Sequence, residues 1–152
     1  MITVRDAIKS DINSIVEFQI NMAEETENLI LHEDVITPGV NAVFEDHNKG
    51  RYFVAEFEND IAGSLLITYE WSDWRNGFVL WIQSVYVKHE YRSKGIFKAM
   101  YRHIQSIVDA NPDLYKGIRL YVDKSNVSAQ KVYDAVGMSG EHYELYEAMN
   151  NA

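Results

Sequence analysis

Val85-Tyr86-Val87-Lys88-His89-Glu90-Tyr91-Arg92-Ser93-Lys94-Gly95-Ile96-Phe97 is the stretch whose reading decides the fold of this 152-residue chain. It runs from an apolar β-strand through a short charged turn into a loop with a single glycine, and the loop opens directly into a helix. Apolar residues then recur at Phe97, Met100, Tyr101, Ile104, Ile107 and Val108, the spacing of one helical face. A strand that feeds a helix through such a loop aims backbone N–H groups and the positive helix end at one point, which suits an anion such as a phosphate. Arg92 and Lys94 add positive side chains beside it. Ordinary strand-to-helix connections also carry Gly, Arg and Lys. The stretch lacks the Gly-Lys-Ser/Thr ending of a nucleoside-triphosphate loop and the dinucleotide Gly-x-Gly-x-x-Gly. The expected ligand is a phosphate-bearing cofactor of another class.

The rest of the chain places this loop in a single α/β domain spanning residues 1–152. Residues 2–5 read as a first strand, and an apolar stripe from Lys9 to Glu27 (Ile12, Ile15, Val16, Phe18, Ile20, Met22) reads as a helix. Thr37 as cap and Pro38 at the first helical position predict a second helix, ending near Asn48-Lys49-Gly50. Arg51 to Glu58, Ile61 to Trp71 and Phe78 to Val87 read as three strands joined at Asn59-Asp60 and at the 72–77 hairpin turn, where Asn76-Gly77 supplies residues tolerant of positive φ. The loop helix stops near Pro112. A short buried strand follows at Ile118 to Val122, then a helix capped at Ser125-Asn126 and closed by Gly137. The alternation of Met138 to Met149 predicts a final strand. The whole is a central mixed, mostly antiparallel sheet flanked by helices.

Composition narrows the function classes. The chain has no cysteine, which removes disulfides, thiolate-ligated metals and a Cys nucleophile. No apolar run reaches membrane-spanning length and the amino terminus does not read as a signal peptide, so a cytoplasmic protein without a membrane partner is expected. The net charge of −9 is unevenly placed: residues 1–74 hold four Lys/Arg and fifteen Asp/Glu. Such a surface repels nucleic acid and attracts cations. The five histidines show no metal-ligand spacing, so no metal is expected.

Three features together resemble the GNAT superfamily of N-acetyltransferases. Arg92-Ser93-Lys94-Gly95-Ile96-Phe97 is similar to the family's Gln/Arg-x-x-Gly-x-Gly/Ala motif. The segment LYVDKSNVSAQKVYDAVGM, residues 120–138, resembles the family's second cofactor segment. The element order is the third. One departure is Phe97, which stands where Gly or Ala is usual; its ring is expected to turn into the core as the first apolar residue of the helix.

The resemblance implies binding of acetyl-CoA and transfer of its acetyl group to a primary amine. Backbone N–H groups from Arg92 through Ser93, Lys94, Gly95 and Ile96 to Phe97 would hold the pyrophosphate. The strand edge at Val85, Tyr86 and Val87 would pair with the pantetheine arm. An N–H near Val85 would polarise the thioester carbonyl. Asn126 would bond the pantetheine arm, and Tyr133 would donate a proton to the departing thiolate. A phenol with a pKa of roughly 10 carries its proton at neutral pH, as that role needs. Without cysteine, the simplest route is direct attack by the amine in a ternary complex.

The acceptor side is less marked. Many family members carry a Glu early in the central strand; here Trp81-Ile82-Gln83-Ser84 has no carboxylate. Gln83 could orient an amine or a water but cannot act as a base. Glu70 and Asp73 are the nearest carboxylates in sequence, and Glu24, Glu25 and Glu27 end the first helix, which borders the acceptor site in this fold. Trp71, Trp74 and Trp81 suit cross-strand packing or a cation–π box, with packing the commoner use. A small, cationic amine is the expected partner, with a protein lysine or N-terminus as the alternative acceptor. A non-catalytic acyl-CoA sensor is the alternative outside catalysis. Relatives of this fold often form dimers, which makes a homodimer a further expectation.

Overall fold

The computed structural model describes residues 1–150. The chain divides into two compact units, residues 1–120 and residues from 121 onward. In the first unit five strands lie in chain order: β1 Ile2–Asp6, β2 Arg51–Phe57, β3 Asp60–Ser72, β4 Gly77–Val87 and β5 Tyr115–Arg119. The first four form an antiparallel meander, and β5 joins β4 in parallel after a helical crossover. Three helices belong to this unit: α1 Ile12–Glu27, α2 Glu33–Glu45 and α3 Ile96–Ala110. The α/β class with a mixed, mostly antiparallel sheet is thus what the sequence pattern implies.

Alternation along the strands builds two cores. Phe53 and Ala55 of β2, Leu65 and Ile67 of β3, and Leu80 and Ile82 of β4 pack with Ile96, Met100, Ile104 and Val108 of α3. Tyr52 and Val54 point the other way and pack with Ile15 of α1 and with Val40 and Val43 of α2. The side chains sit in two layers because successive residues of a strand face opposite sides.

Four elements differ from the pattern read in the sequence. Helix α2 begins at Glu33, with Pro38 inside it rather than at its first position. The first-turn acids Glu33 and Asp34 favour the positive helix end, and His32 supplies an extended entry whose carbonyl accepts from the Val35 and Ile36 amides. Strand β5 covers Tyr115–Arg119, not Ile118 to Val122, because its register with β4 sets Phe78 opposite Tyr115 and stops at Trp81 opposite Arg119. Residues 138–149 form no strand. Alternation favours an extended segment, but a strand also needs a partner edge. Within residues 121–150 the regular structure is the helix α4, Val127–Ala135, which offers none. Finally, Ile96 and not Phe97 enters the core: Ile96 is 2% exposed, whereas Phe97 is half-buried beside the Tyr101 ring at 6.2 Å.

Helix α4 follows its sequence signals. The Asn126 side-chain oxygen accepts from the Ala129 amide at 3.1 Å, and Gly137 closes the helix at φ 92°.

One close approach links the sheet to the loop after β4. A Cβ on Gly63 of β3 would lie 2.6 Å from the Tyr86 carbonyl oxygen and 3.4 Å from a methyl carbon of Ile96. Gly63→Ala should therefore destabilise the protein by about 1–3 kcal/mol, the range for overpacking a filled site. Denaturant unfolding measures it, and a variant as stable as the parent would contradict the close packing.

Candidate active site

Strand β4 is irregular where the sequence places the chemistry. Opposite Leu66 stands Gln83, but opposite Ser64 stands Tyr86, so β4 carries one extra residue between them. Ser84 takes a positive φ of 55° there. This is a β-bulge, which bends a strand and re-aims its side chains. Before it Leu80 and Ile82 face the α3 core; after it Val85 and Val87 do. The opposite face accordingly carries Trp81 and Gln83 before the bulge and Tyr86 after it.

Pairing with β5 ends at Trp81–Arg119, and no strand among the described residues pairs with β4 beyond that point on this side. The edge from Ile82 to Val87 therefore has no strand partner on this side within residues 1–120. Val85, Tyr86 and Val87 all lie on it.

The loop that follows is held from two directions. Lys88 Nζ donates to Asp60 Oδ2 at 2.8 Å, and the Tyr91 hydroxyl donates to the same oxygen at 3.1 Å. These contacts tie the turn to the start of β3, and Lys88 holds the Asp60 carboxyl below its usual range. On the other side Arg92 Nε donates to the Val87 carbonyl at 2.9 Å and Nη2 donates to Glu25 Oε2 of α1 at 2.7 Å. Ser93 and Gly95 both have positive φ, 64° and 83°. Helix α3 then starts at Ile96 with no side chain capping it, and its first internal bond runs from the Ala99 amide to the Gly95 carbonyl at 3.0 Å. The amides of Ile96, Phe97 and Lys98 precede that bond in the first turn, so they stand as donors at the positive helix end. Lys94 is exposed beside it. The Arg92 amide is itself engaged by the His89 carbonyl at 3.3 Å. The donors thus centre slightly later in the chain than the loop motif alone suggests, and Lys98 is a member that sequence reading missed.

Glu70 and Gln83 fall into one polar cluster on the face opposite α3. The Trp81 indole donates to Glu70 Oε1 at 2.7 Å and Arg119 Nη1 donates to Oε2 at 2.8 Å. The Trp81 bond, then Arg119, hold the Glu70 carboxyl below its ordinary range against the opposing effect of burial. Gln83 Nε2 donates to the Thr68 hydroxyl at 2.6 Å. Of the other tryptophans, Trp71 packs edge-on against Phe78 at 5.1 Å and Trp74 is 92% exposed in the hairpin turn.

Within the second unit Asn126 caps α4, as its sequence position implies, and its side-chain oxygen is used in doing so. Tyr133 lies two turns further along that helix, half-buried, and burial pushes its phenol up from the usual value. A raised phenol keeps its proton at neutral pH. Among the described residues, no group of three His, Asp or Glu side chains could hold a metal ion. No helix among them is long and apolar enough to cross a membrane.

The fold that positions these residues is shared with known proteins. The sequence model of the acetyltransferase (GNAT) family matches residues 17–138. The chain belongs to the GNAT family. A possible acetyltransferase from Clostridium difficile 630 has a solved structure that is 43% identical, covers 99% of this chain and 98% of its own, and superposes with a TM-score of 0.89. More distant structures share the GNAT fold. One is the ribosomal-protein-alanine N-acetyltransferase of Brucella melitensis biovar Abortus 2308, at 11% identity, covering 99% of this chain and 100% of its own, with a TM-score of 0.78. Another is a transcriptional regulator from Bacillus halodurans C-125, at 18% identity, covering 98% and 100%, with a TM-score of 0.81. No curated protein matches the chain.

The Glu70 cluster of this GNAT protein makes a checkable claim about pH. A carboxyl with a depressed folded pKa adds stability above its unfolded value, and that stability is lost as pH falls through the folded pKa. The stability gap between the parent and Glu70→Gln should be present at about pH 7 and shrink by about pH 3. Urea unfolding at the two pH values measures it, and a gap that grows on acidification would contradict the assignment.

Proposed function

We propose that the protein is an acetyl-CoA-dependent N-acetyltransferase that acetylates a small cationic amine by direct attack in a ternary complex. The observation that carries this reading is the bulged β4 edge, left by β5 at Trp81, followed by a loop that opens into the α3 N-terminus with no side-chain cap. The residues present fit the cosubstrate. An anion of diphosphate size suits successive backbone N–H groups at a helix end, and an amide-rich arm suits an unpaired strand edge. The Phe97 ring, at the motif position where Gly or Ala is usual, lies beside the Tyr101 ring at 6.2 Å.

Acetyl-CoA supplies an activated thioester. Within residues 1–120 the roles follow from the geometry, and those of Asn126 and Tyr133 follow from the family motif alone. The loop amides with Lys94 hold the diphosphate, and the Val85–Val87 edge aligns the arm. An N–H at the bulge stabilises negative charge on the carbonyl oxygen. Asn126 bonds the arm through its amide nitrogen, since its oxygen caps α4. Tyr133 gives its proton to the departing sulfur, so that the acetyl group ends on nitrogen and CoA leaves as the thiol. Glu70, with both oxygens engaged and its pKa depressed, serves as a fixed anion that attracts an ammonium group, and a water accepts the amine's proton. Gln83, held by Thr68, orients the amine or that water. The acidic end of α1, with Glu24 and Glu27 at the negative end of the helix dipole, adds to the pull on a cation.

Thiol release from acetyl-CoA in the presence of polyamines, amino acids and amino sugars tests the reading directly. Amine-dependent thiol is expected; a melting shift with CoA but no such thiol would mark a CoA-binding sensor instead. Tyr133→Phe should lower turnover about a hundred-fold, in the range for losing a positioned proton donor, with CoA affinity close to the parent's. An unchanged turnover would remove Tyr133 from the chemistry. Gly95 has open space where a Cβ would sit, but its φ of 83° is hostile to a branched side chain. Gly95→Val should weaken CoA binding about ten-fold, the equivalent of 1–2 kcal/mol of backbone strain. Retained affinity by calorimetry would show that the loop is not the diphosphate site.

A further inference from the structure

We propose that Glu25 is a positioning residue for the diphosphate loop, committing the Arg92 side chain to the protein rather than to the bound anion and so fixing the shape of the amide cluster. This inference rests on the acetyl-CoA reading and goes beyond it by assigning a role to a residue of α1, 67 positions away from the loop in sequence.

Both carboxylate oxygens of Glu25 are used. Oε2 accepts from Arg92 Nη2 at 2.7 Å, and Oε1 accepts from the Tyr86 hydroxyl at 3.2 Å. Arg92 also donates to the Val87 carbonyl at 2.9 Å through Nε, and its guanidinium carbon lies 5.4 Å from the centre of the Tyr86 ring. The Tyr86 ring also lies 5.2 Å from the ring of Phe18 of α1. One guanidinium thus bridges the last residues of β4, the first residue of the loop and the last turn of α1. The Glu25 carboxyl is held below its usual range chiefly by Arg92, so it is ionised at neutral pH.

The sign of the effect separates this role from a bystander's. A carboxylate beside a site for a diphosphate opposes anion binding by simple Coulomb repulsion. If Glu25 only contributes charge, or only competes with the phosphates for Arg92, then Glu25→Gln tightens CoA binding. If Glu25 holds Arg92 in place and Arg92 holds the loop, the same substitution loosens binding even though it removes a repulsive charge.

Titration calorimetry of the intact protein with CoA decides between them. We expect Glu25→Gln to bind CoA about five-fold more weakly, the scale of a partly exposed ion pair. Glu25→Asp keeps the charge but is too short to reach Arg92 and Tyr86 together, and it should weaken binding as well. In an Arg92→Gln background, Glu25→Gln should add no further loss, because its partner is already gone. Affinity equal to or tighter than the parent's in Glu25→Gln overturns the proposal. So does an unaltered Glu25→Asp, which also decides the matter if the Gln variant does not fold. Failure of the parent itself to bind CoA is a separate outcome and would overturn the acetyl-CoA reading beneath it.

Discussion

Strand β4 pairs with β3 along its whole length but with β5 only as far as Trp81, and the rest of the site depends on that divergence. Backbone N–H and C=O groups must find partners in the protein or in solvent and ligand. Two neighbours that part company leave one row of such groups on β4 without a strand partner within residues 1–120. The bulge at Ser84 falls within this row. It shifts the alternation by one residue, so Val85 and Val87 still reach the α3 core. A regular β4 would have turned Val85 and Val87 away from the core, because a one-residue slip exchanges the faces.

The loop after β4 inherits its position from this strand and is pinned by polar contacts of modest individual strength. Exposed ion pairs such as Lys88–Asp60 contribute about 0–1 kcal/mol each. The larger stabilisation lies beneath them, in Ile96, Met100 and Ile104 of α3, all 2% exposed or less. The division of labour is physical. Apolar burial fixes where α3 begins and therefore where its first-turn amides point. The ion pairs and Gly63, which lets β3 approach the Tyr86 carbonyl, set the finer shape of the loop.

Much of this was legible in the sequence because its signals are local. The run from Val85 to Phe97, the Asn76-Gly77 turn and the Asn126 cap each declare themselves within a few residues. Other features carry no local mark. Ser84 is an ordinary residue for a strand, and nothing in its neighbourhood announces a positive φ. The Glu25–Arg92 and Glu70–Arg119 pairs join residues far apart in the chain, and only the folded sheet and α1 bring them together. Helix α2 starts before Thr37 because the first-turn acids and the entry at His32 outweigh the preference of Pro38 for an initial position. Alternation from Met138 to Met149 overstated a strand because period-two patterning describes a face and not a partner.

Under the proposed function, the absence of a carboxylate at Gln83 acquires a reason. Trp81, Gln83 and Tyr86 share one face of β4, and the carboxylates near that face, Glu70 and Glu25, each spend both oxygens on neighbouring donors. A carboxylate so engaged is a weak base, since every bond it accepts favours its ionised form. It stays ionised, with its charge partly balanced by the paired arginine. Under the proposed function such a face would orient an ammonium ion rather than strip it of its proton, and deprotonation would fall to solvent. An acceptor whose amine is partly neutral at working pH suits such a site better than one that stays fully protonated. The chemistry of the acceptor, more than a dedicated base, then sets how fast the site can turn over.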